Sequence, residues 1–501
     1  MKKVNNNINL AFRFMTITAV ILTMFLTSCK DVLVEDVFID ITSNNFFQND
    51  EDALAAVNAI YAKLRADGTV TGGSGGQQRQ GWGMFGYGEA TVFNYQQTQT
   101  DELFVQWANF NGFSNFTLTP SNYGNFGSMF ADQFEGIFIA NNTLANVVGN
   151  QKLSEEVRNR VTGEALFGRA LFYSTALSFY GNIPKLTIPQ SDPLNLPEQA
   201  APAEIAQLII DDLTEAADLL PESYAASDYG RFTKGAALGQ LARFQLNQKN
   251  WSAAIEAARD VMALGYMLSP GYGDIFSVDN DKNPEIILTI PCLAQPGIGN
   301  SMVAHTSQSD FVVGSWGGHQ ARNSFYDSFD PDDERRSFLV KDYTTGGGDP
   351  KTVTTGAMII KYEPDPNRAS GVWGGNDIVL HRLSEVYLTL AEALNEENGP
   401  NQESIDLINE LRDRAFDSDP TKRIQLSDYA SKEALRDRIL DERSWETYAE
   451  NYRRDDLIRQ GKYISKAVER GVDNAQSFHV LYPIPQNEMD RNPKLVQNDG
   501  Y

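Results

Sequence analysis

The sequence predicts a mostly α-helical fold, a scaffold of paired helices carrying a loop-rich, aromatic part that contains a few short strands. Apolar residues recur at helical spacing through about 128–268 and again through 380–460. Before and between those runs, 68–123 and 270–377 lose that rhythm and fill with Gly, Asn, Gln and aromatic side chains. Composition agrees: 42% apolar and 11% aromatic residues describe a globular chain, and 501 residues supply ample core. A net charge of −24 argues against nucleic acid as a partner, because a polyanion needs a basic footprint. No lysine-rich amphipathic helix of the membrane-surface kind is present.

At the N-terminus, Lys2, Lys3 and Arg13 precede an uncharged run over 14–26, and Thr27, Ser28 and Cys29 follow. That run is too short to cross a bilayer, which takes about 20 residues. The order basic, apolar, small is a secretory signal. Cys29 directly after Leu-Thr-Ser resembles a bacterial lipobox, in which Cys29 is acylated and becomes the mature N-terminus. This predicts a signal peptide over 1–28, a tether over 29–40 and a single unit over 41–501. With Cys29 lipidated, the mature chain has no internal disulfide. Lys30 and Asp31, with Glu35 and Asp36, resemble a charged tether that marks export to the outer leaflet.

The scaffold opens within 42–66. Asp50, Glu51 and Asp52 suit a helix N-terminus, and Leu54, Val57, Ile60, Tyr61 and Leu64 share one helical face. The Gly-rich stretch 68–88 follows, with a Gly-Gly-Ser-Gly-Gly run at 72–76. That run matches the nucleophile elbow of serine hydrolases letter for letter, but neither the strand before it nor the helix after it is evident. Residues 81–119 are dense in aromatics, including Trp82, Phe93, Tyr95, Trp107, Phe110 and Phe113. They are interleaved with Asn and Gln, and nothing there is a clean helix or strand.

Helices are predicted over 128–148, 154–179, 203–220, 233–248 and 251–264. Ser154 with Glu155 and Glu156 behind it makes an N-cap with an acidic first turn. Pro184 and Pro221 stop the helices before them. The stretch 235–266, with small residues at close-approach positions and Trp251 opening its second helix, resembles a tetratricopeptide unit. From 270 to 377 the helical rhythm breaks. A short apolar strand is predicted over 285–290. Asp279, Asp281 and Asn283 begin like a calcium loop, but Pro284 and Ile290 occupy its Gly and Glu positions, so no metal is expected. Trp316 and Trp373 each lie between glycines, with few local neighbours to bury them.

The closing helices are predicted over 380–398, 402–414 and 431–459, the last without Gly or Pro. Leu435, Ile439, Trp445, Tyr448 and Tyr452 supply its apolar face. Its charges, among them Glu442, Arg443, Glu446, Arg453, Arg454, Asp455, Asp456 and Arg459, read by composition alone as a solvated, salt-bridged face.

The same charges carry a family resemblance. Glu442, Arg443 and Glu446, then Arg453 and 456–459 (Asp-Leu-Ile-Arg), then 482–485 (Tyr-Pro-Ile-Pro) and the closing Gln497, Asn498, Gly500 and Tyr501 resemble the SusD/RagB family of outer-membrane nutrient-binding lipoproteins. The segment 100–105 and the helical middle are similar to it as well, and Arg454 and Asp455 depart from it locally. The resemblance implies that the charged residues are structural ion pairs, buried or half-buried. It also implies a ligand surface at Trp107 and Trp316, with Trp82, Trp373 and Asn109 near it. The implied function is capture of an oligo- or polysaccharide and its delivery to a TonB-dependent, SusC-like outer-membrane transporter. The protein would be lipid-anchored in the outer membrane and face the cell exterior. A peptide ligand on the same scaffold, or a purely structural subunit, stays open.

Catalysis has little to rest on. His305, His319, His381 and His479 are scattered, and no zinc, phosphate-loop or dinucleotide motif occurs. With 66 carboxylates, finding two at a glycosidase spacing carries no information. The chain is therefore expected to be a binder without catalytic residues, metal or cofactor, and a glycoside hydrolase is the less favoured reading.

Overall fold

The computed structural model describes residues 46–65, 85, 91–122, 127–189, 195–296, 298–369 and 371–501. Cys29, the tether, the 72–76 run and Trp82 lie outside them. Phe47–Tyr501 form one compact unit, which a chain beginning at residue 30 retains whole.

Helix α1 (Asp50–Arg65) opens on Asp50, Glu51 and Asp52, which offset the positive end of its dipole. Ala53, Val57, Ile60 and Leu64 are buried at three- and four-residue spacing. After the short α2 (Val92–Gln97) come α3 (Met129–Val147) and α4 (Glu155–Tyr180). The Ser154 side chain accepts from the Val157 N–H at 3.3 Å and caps α4 as its sequence predicts. Gly168 lets α1 and α4 cross closely, since a Cβ there would lie 2.5 Å from Ile60. Then follow α5 (Pro202–Leu219), with Pro at its first turn, α6 (Lys234–Asn247) and α7 (Trp251–Met262). A short α8 (Met302–Thr306) lies in the loop-rich part, and α9 (Leu383–Asn398) and α10 (Gln402–Ala415) resume the scaffold. Each of α3 to α7 packs on the next, α9 packs on α7, and α10 and α11 (Lys432–Thr447) pack on α9. The fold is mostly helical, as expected.

The strands are short. β1 (Leu103–Val105), β3 (His319–Arg322), β5 (Gly356–Ile359) and β4 (Leu339–Val340) form an antiparallel sheet in the order β1-β3-β5-β4. β2 (Ile286–Ile290) pairs with β6 (Ile378–Arg382).

Three sequence expectations need correction. Residues 380–382 belong to β6, and α9 begins at Leu383, whose N–H donates to the Glu285 carbonyl at 2.9 Å. Residues 81–119 contain a helix and a strand, α2 and β1. The stretch 431–459 is two helices: α11 ends at Thr447 and α12 (Arg453–Arg459) follows. Side chains from elsewhere take the carbonyls an unbroken helix would use. Tyr272 donates to the Glu446 carbonyl at 2.7 Å, and Lys361 donates to that of Tyr448 at 2.8 Å. Ala449 and Asn451 turn the chain in the left-handed region, at φ 59° and 71°.

The charges of this region face inward, so the solvated reading fails and the ion-pair reading stands. Arg335 bonds Asp333, Glu442 and Glu446, at 2.7 Å to the first two. Arg382 reaches Glu285, Glu446 and Glu450, and Arg414 reaches Glu285 and Glu446. Arg443 and Arg459 share Asp456. The buried guanidiniums hold the Glu446 carboxyl well below the usual carboxylate range against the opposing effect of burial.

Helix α12 (Arg453–Arg459) and α13 (Tyr463–Glu469), with the C-terminal tail, grip the segment that leads into β1. Arg453 clasps Asp101 with bonds of 2.8 and 2.7 Å, and Ser444 donates to Glu102 at 2.8 Å. Tyr463 donates to Gln99 at 2.7 Å, and Tyr482 donates to the Tyr95 carbonyl at 2.7 Å.

Candidate functional site

The grip on 94–102 decides where β1 delivers Trp107. In the register Val105 faces His319, and the ladder continues one step as the Gln106 N–H donates to the Gly318 carbonyl at 2.8 Å. Trp107 then turns out of the strand and begins the 3-10 turn Ala108–Phe110, which leaves Asn109 exposed. Its indole lies against Gly318, where a Cβ would come within 2.2 Å of the ring. The absent side chain at 318 is thus what gives this half-buried ring its seat.

Trp316 arrives by another route. Its N–H donates to the Ala304 carbonyl at 2.6 Å, tying its loop to α8. Gly314 and Gly317 on either side take φ of 92° and 64°, a conformation that costs glycine little, and the indole between them is 42% exposed. One α8 side chain joins the two indoles. The ring of His305 meets Trp316 at 4.8 Å and 87°, and Trp107 at 6.0 Å and 62°. His319 lies beneath, 5.6 Å from Trp107 at 85° and 5.5 Å from His305.

Both imidazoles are buried. His305 Nδ1 lies 2.9 Å from the Ser301 carbonyl and His319 Nε2 lies 2.8 Å from Asn94 Oδ1, so those nitrogens carry the protons. Burial pulls the His305 pKa down to about 4. It pulls His319 well below its usual value, and His305 adds to that effect. Both are neutral at pH 7. Polar, uncharged side chains lie beside the indoles: Gln106 and Asn109 are exposed on either side of Trp107 in the chain, and the Gln308 amide approaches Gly317.

The structure thus brings Trp107 and Trp316 onto one imidazole, and Asn109 is exposed two residues beyond Trp107. Trp373 is on the adjoining loop, which meets the Trp316 loop where Gly371 packs on Gly314, and its own side chain is half-buried beside Gly299. Trp82 lies outside the described residues. Of the other aromatics in that part, Phe93, Tyr95, Phe110, Phe113 and Phe116 are core. Sequence reading missed His305 and His319. Neither lies in a pattern that marks it, and only the β1–β3 register and α8 bring them under the indoles.

A second concavity lies elsewhere, an apolar cavity of about 270 Å³ between α1 and the β2–β6 ladder. Tyr61, Leu64, Phe232, Leu288 and Ile290 line it, and its polar groups are spent internally: Tyr61 donates to Glu164 and Thr289 to the Ile378 carbonyl. Among the described residues no group of His, Cys, Asp or Glu could hold a metal ion, and no helix is long and apolar enough to cross a membrane.

The described residues thus form a helical scaffold that carries two indoles on one buried imidazole. Comparison with known proteins finds similar chains. The SusD family model matches residues 327–501, and a second model, described as starch-binding and associating with the outer membrane, matches 84–246. Over these two segments the chain is similar to SusD-family proteins. It is 26% identical to the starch-binding protein SusD of Bacteroides thetaiotaomicron, over 82% of this chain and 85% of that one. It is 25% identical to the SusD-like protein P25 of Formosa agariphila, over 94% and 96%. A solved laminarin-binding SusD-like protein shares its fold with a TM-score of 0.74 at 23% identity, covering 90% of this chain and 100% of that one. The surface glycan-binding protein A of B. thetaiotaomicron, in complex with laminarihexaose, also has a TM-score of 0.74, at 21% identity over 90% and 99%.

Proposed function

We propose that this chain is a glycan-binding lipoprotein of the outer membrane, anchored through Cys29 and facing the cell exterior. It captures an oligo- or polysaccharide on Trp107, Trp316 and Asn109, and passes it to a TonB-dependent, SusC-like transporter. The observation that carries the reading is the exposed indole of Trp316 held on the same imidazole as Trp107. Sugar rings present flat C–H faces that stack on indole, and the exposed amides of Asn109 and Gln106 can bond hydroxyls. Stacking one ring contributes on the order of 1 kcal/mol, so several contacts along a chain are needed for micromolar affinity. The names of the relatives, which speak of starch and laminarin, support a glycan over a peptide. No step of catalysis is assigned.

Affinity electrophoresis of the soluble chain from residue 30, run against laminarin, starch and a panel of other soluble polysaccharides, tests the ligand class. Retardation by at least one glycan is expected. No retardation by any of them, with retention on an immobilised peptide library, would move the assignment to peptides. The anchor has its own test: Cys29→Ala should abolish fatty-acid labelling and release the protein from membranes, and an unchanged membrane fraction would refute it.

A further inference from the structure

His305 and His319 contribute nothing to a glycan surface by contact, because they are 1% and 0% exposed. Yet both indoles rest on them: Trp316 meets His305, and Trp107 meets both imidazoles as well as Phe110 at 5.8 Å. Two polar bonds fix the rotation of these rings. Nδ1–H of His305 donates to the Ser301 carbonyl of its own turn, and Nε2–H of His319 donates to Asn94 on α2. Phe93 and Phe110 brace His319 from below, each at 5.5 Å between ring centres. Above this base stand three edge-to-face contacts: Trp316 on His305, Trp107 on His305 and Trp107 on His319, at 87°, 62° and 85°. Aromatic quadrupoles favour such edge-to-face pairs over a face-to-face sandwich, so each contact restrains the orientation of an indole as well as its position. An exposed tryptophan with free rotamers must be ordered when a ligand binds. One already ordered spares that cost.

We propose that His305 is a positioning residue: seated on His319 and tied to Ser301, it holds Trp107 and Trp316 in one fixed mutual orientation before any ligand arrives. The inference rests on the reading of these indoles as the binding surface, but its test does not need a ligand. A planar ring at position 305 is what the role requires. Filling the volume with an aliphatic side chain satisfies the core but not the indoles.

The test is fluorine NMR of the chain from residue 30 labelled with 5-fluorotryptophan, its tryptophan lines assigned by single Trp→Phe exchanges. His305→Phe and His305→Leu both keep an apolar side chain in the same place. His305→Phe should leave the Trp107 and Trp316 lines single and narrow. His305→Leu should split or broaden both while leaving Trp251 and Trp445 unchanged. With laminarihexaose as the probe in calorimetry, His305→Leu should bind about three- to tenfold more weakly, the factor that a lost aromatic contact represents. Unchanged lines in His305→Leu, or equal disturbance by Leu and Phe, would overturn the proposal. So would collapse of both variants with all lines shifted, which would make His305 an ordinary core residue. A wild-type chain that ignores laminarihexaose would count against that glycan as ligand, and the fluorine lines would still decide the positioning role.

Discussion

Gly318 shows how narrowly the site is built at the scale of single residues. A methyl group there would fall within 2.2–2.6 Å of atoms of the Trp107 ring, and the next residue, His319, is fixed by its pairing with Val105. Gly318→Ala should therefore displace Trp107. We expect weakened glycan binding and a stability loss of about 1–3 kcal/mol, the usual cost of overpacking. Binding and chemical denaturation equal to wild type would show that Trp107 has room to spare. The buried histidines give a pH signature with a definite sign. His305 and His381 have folded pKa values near 4, below the unfolded value of about 6.5, and His319 is also lowered. Below that unfolded value the denatured chain binds protons that the native state refuses, so stability is complete above about pH 6.5 and falls as pH drops toward 4. Denaturation midpoints flat between pH 7 and 5 would contradict this. That Trp107 and Trp316 escape full burial was legible in the sequence, because polar, Gly-rich neighbours offer an indole no core. The histidines beneath them were not, since a lone His between unrelated residues carries no periodicity to read.

Among the elements, β1 and α11 carry most of the burden. Glu102, at the mouth of β1, is buried, and that desolvation raises its carboxyl to about 8. Arg453 opposes the shift from 3.6 Å but is committed to Asp101 through two shorter bonds, so the raised direction follows. The sign is opposite to that of the histidines: stability from a protonated Glu102 is complete below the unfolded pKa of about 4.3 and is lost as pH rises through about 8. Glu102→Gln should flatten the alkaline part of the stability profile, and an unchanged slope between pH 6 and 9 would refute the assignment. In α11, Glu446 serves Arg335, Arg382 and Arg414 at once. Glu446→Ala removes one partner from each of three buried cations, leaving their charge under-compensated, and should cost about 3–5 kcal/mol or prevent folding. Breaking the exposed pair Arg259–Glu403 by Glu403→Ala should cost about 0–1 kcal/mol. A small loss for Glu446→Ala would mean that water reaches the network. Helical periodicity made the scaffold helices legible to within a few residues, because their apolar faces are regular. It failed at 448–452, where nothing local signals a break: the turn exists because Tyr272 and Lys361, distant in sequence, take the carbonyls. It failed again at 380–382, where pairing with β2 overrides a helical pattern.

At the scale of the whole molecule, the C-terminal third and the helical middle act as a frame. The tail and α12 hold 94–102, that segment aims β1, and β1 places Trp107 beside a loop from beyond residue 310. The family resemblance was strongest in this frame and weakest in the loops. Ion pairs and caps need particular residues at particular places, whereas a binding loop needs only a ring at the right height. In the proposed function the paired indoles bind glycan on a frame that does not depend on them. The most direct test is calorimetry of Trp316→Ala with whichever soluble glycan retards the wild-type chain, alongside thermal melting. Affinity should weaken by at least about tenfold, or about 1.4 kcal/mol, with the melting temperature nearly unchanged. Unchanged affinity would place the ligand elsewhere, and a large fall in melting temperature would make Trp316 part of the core.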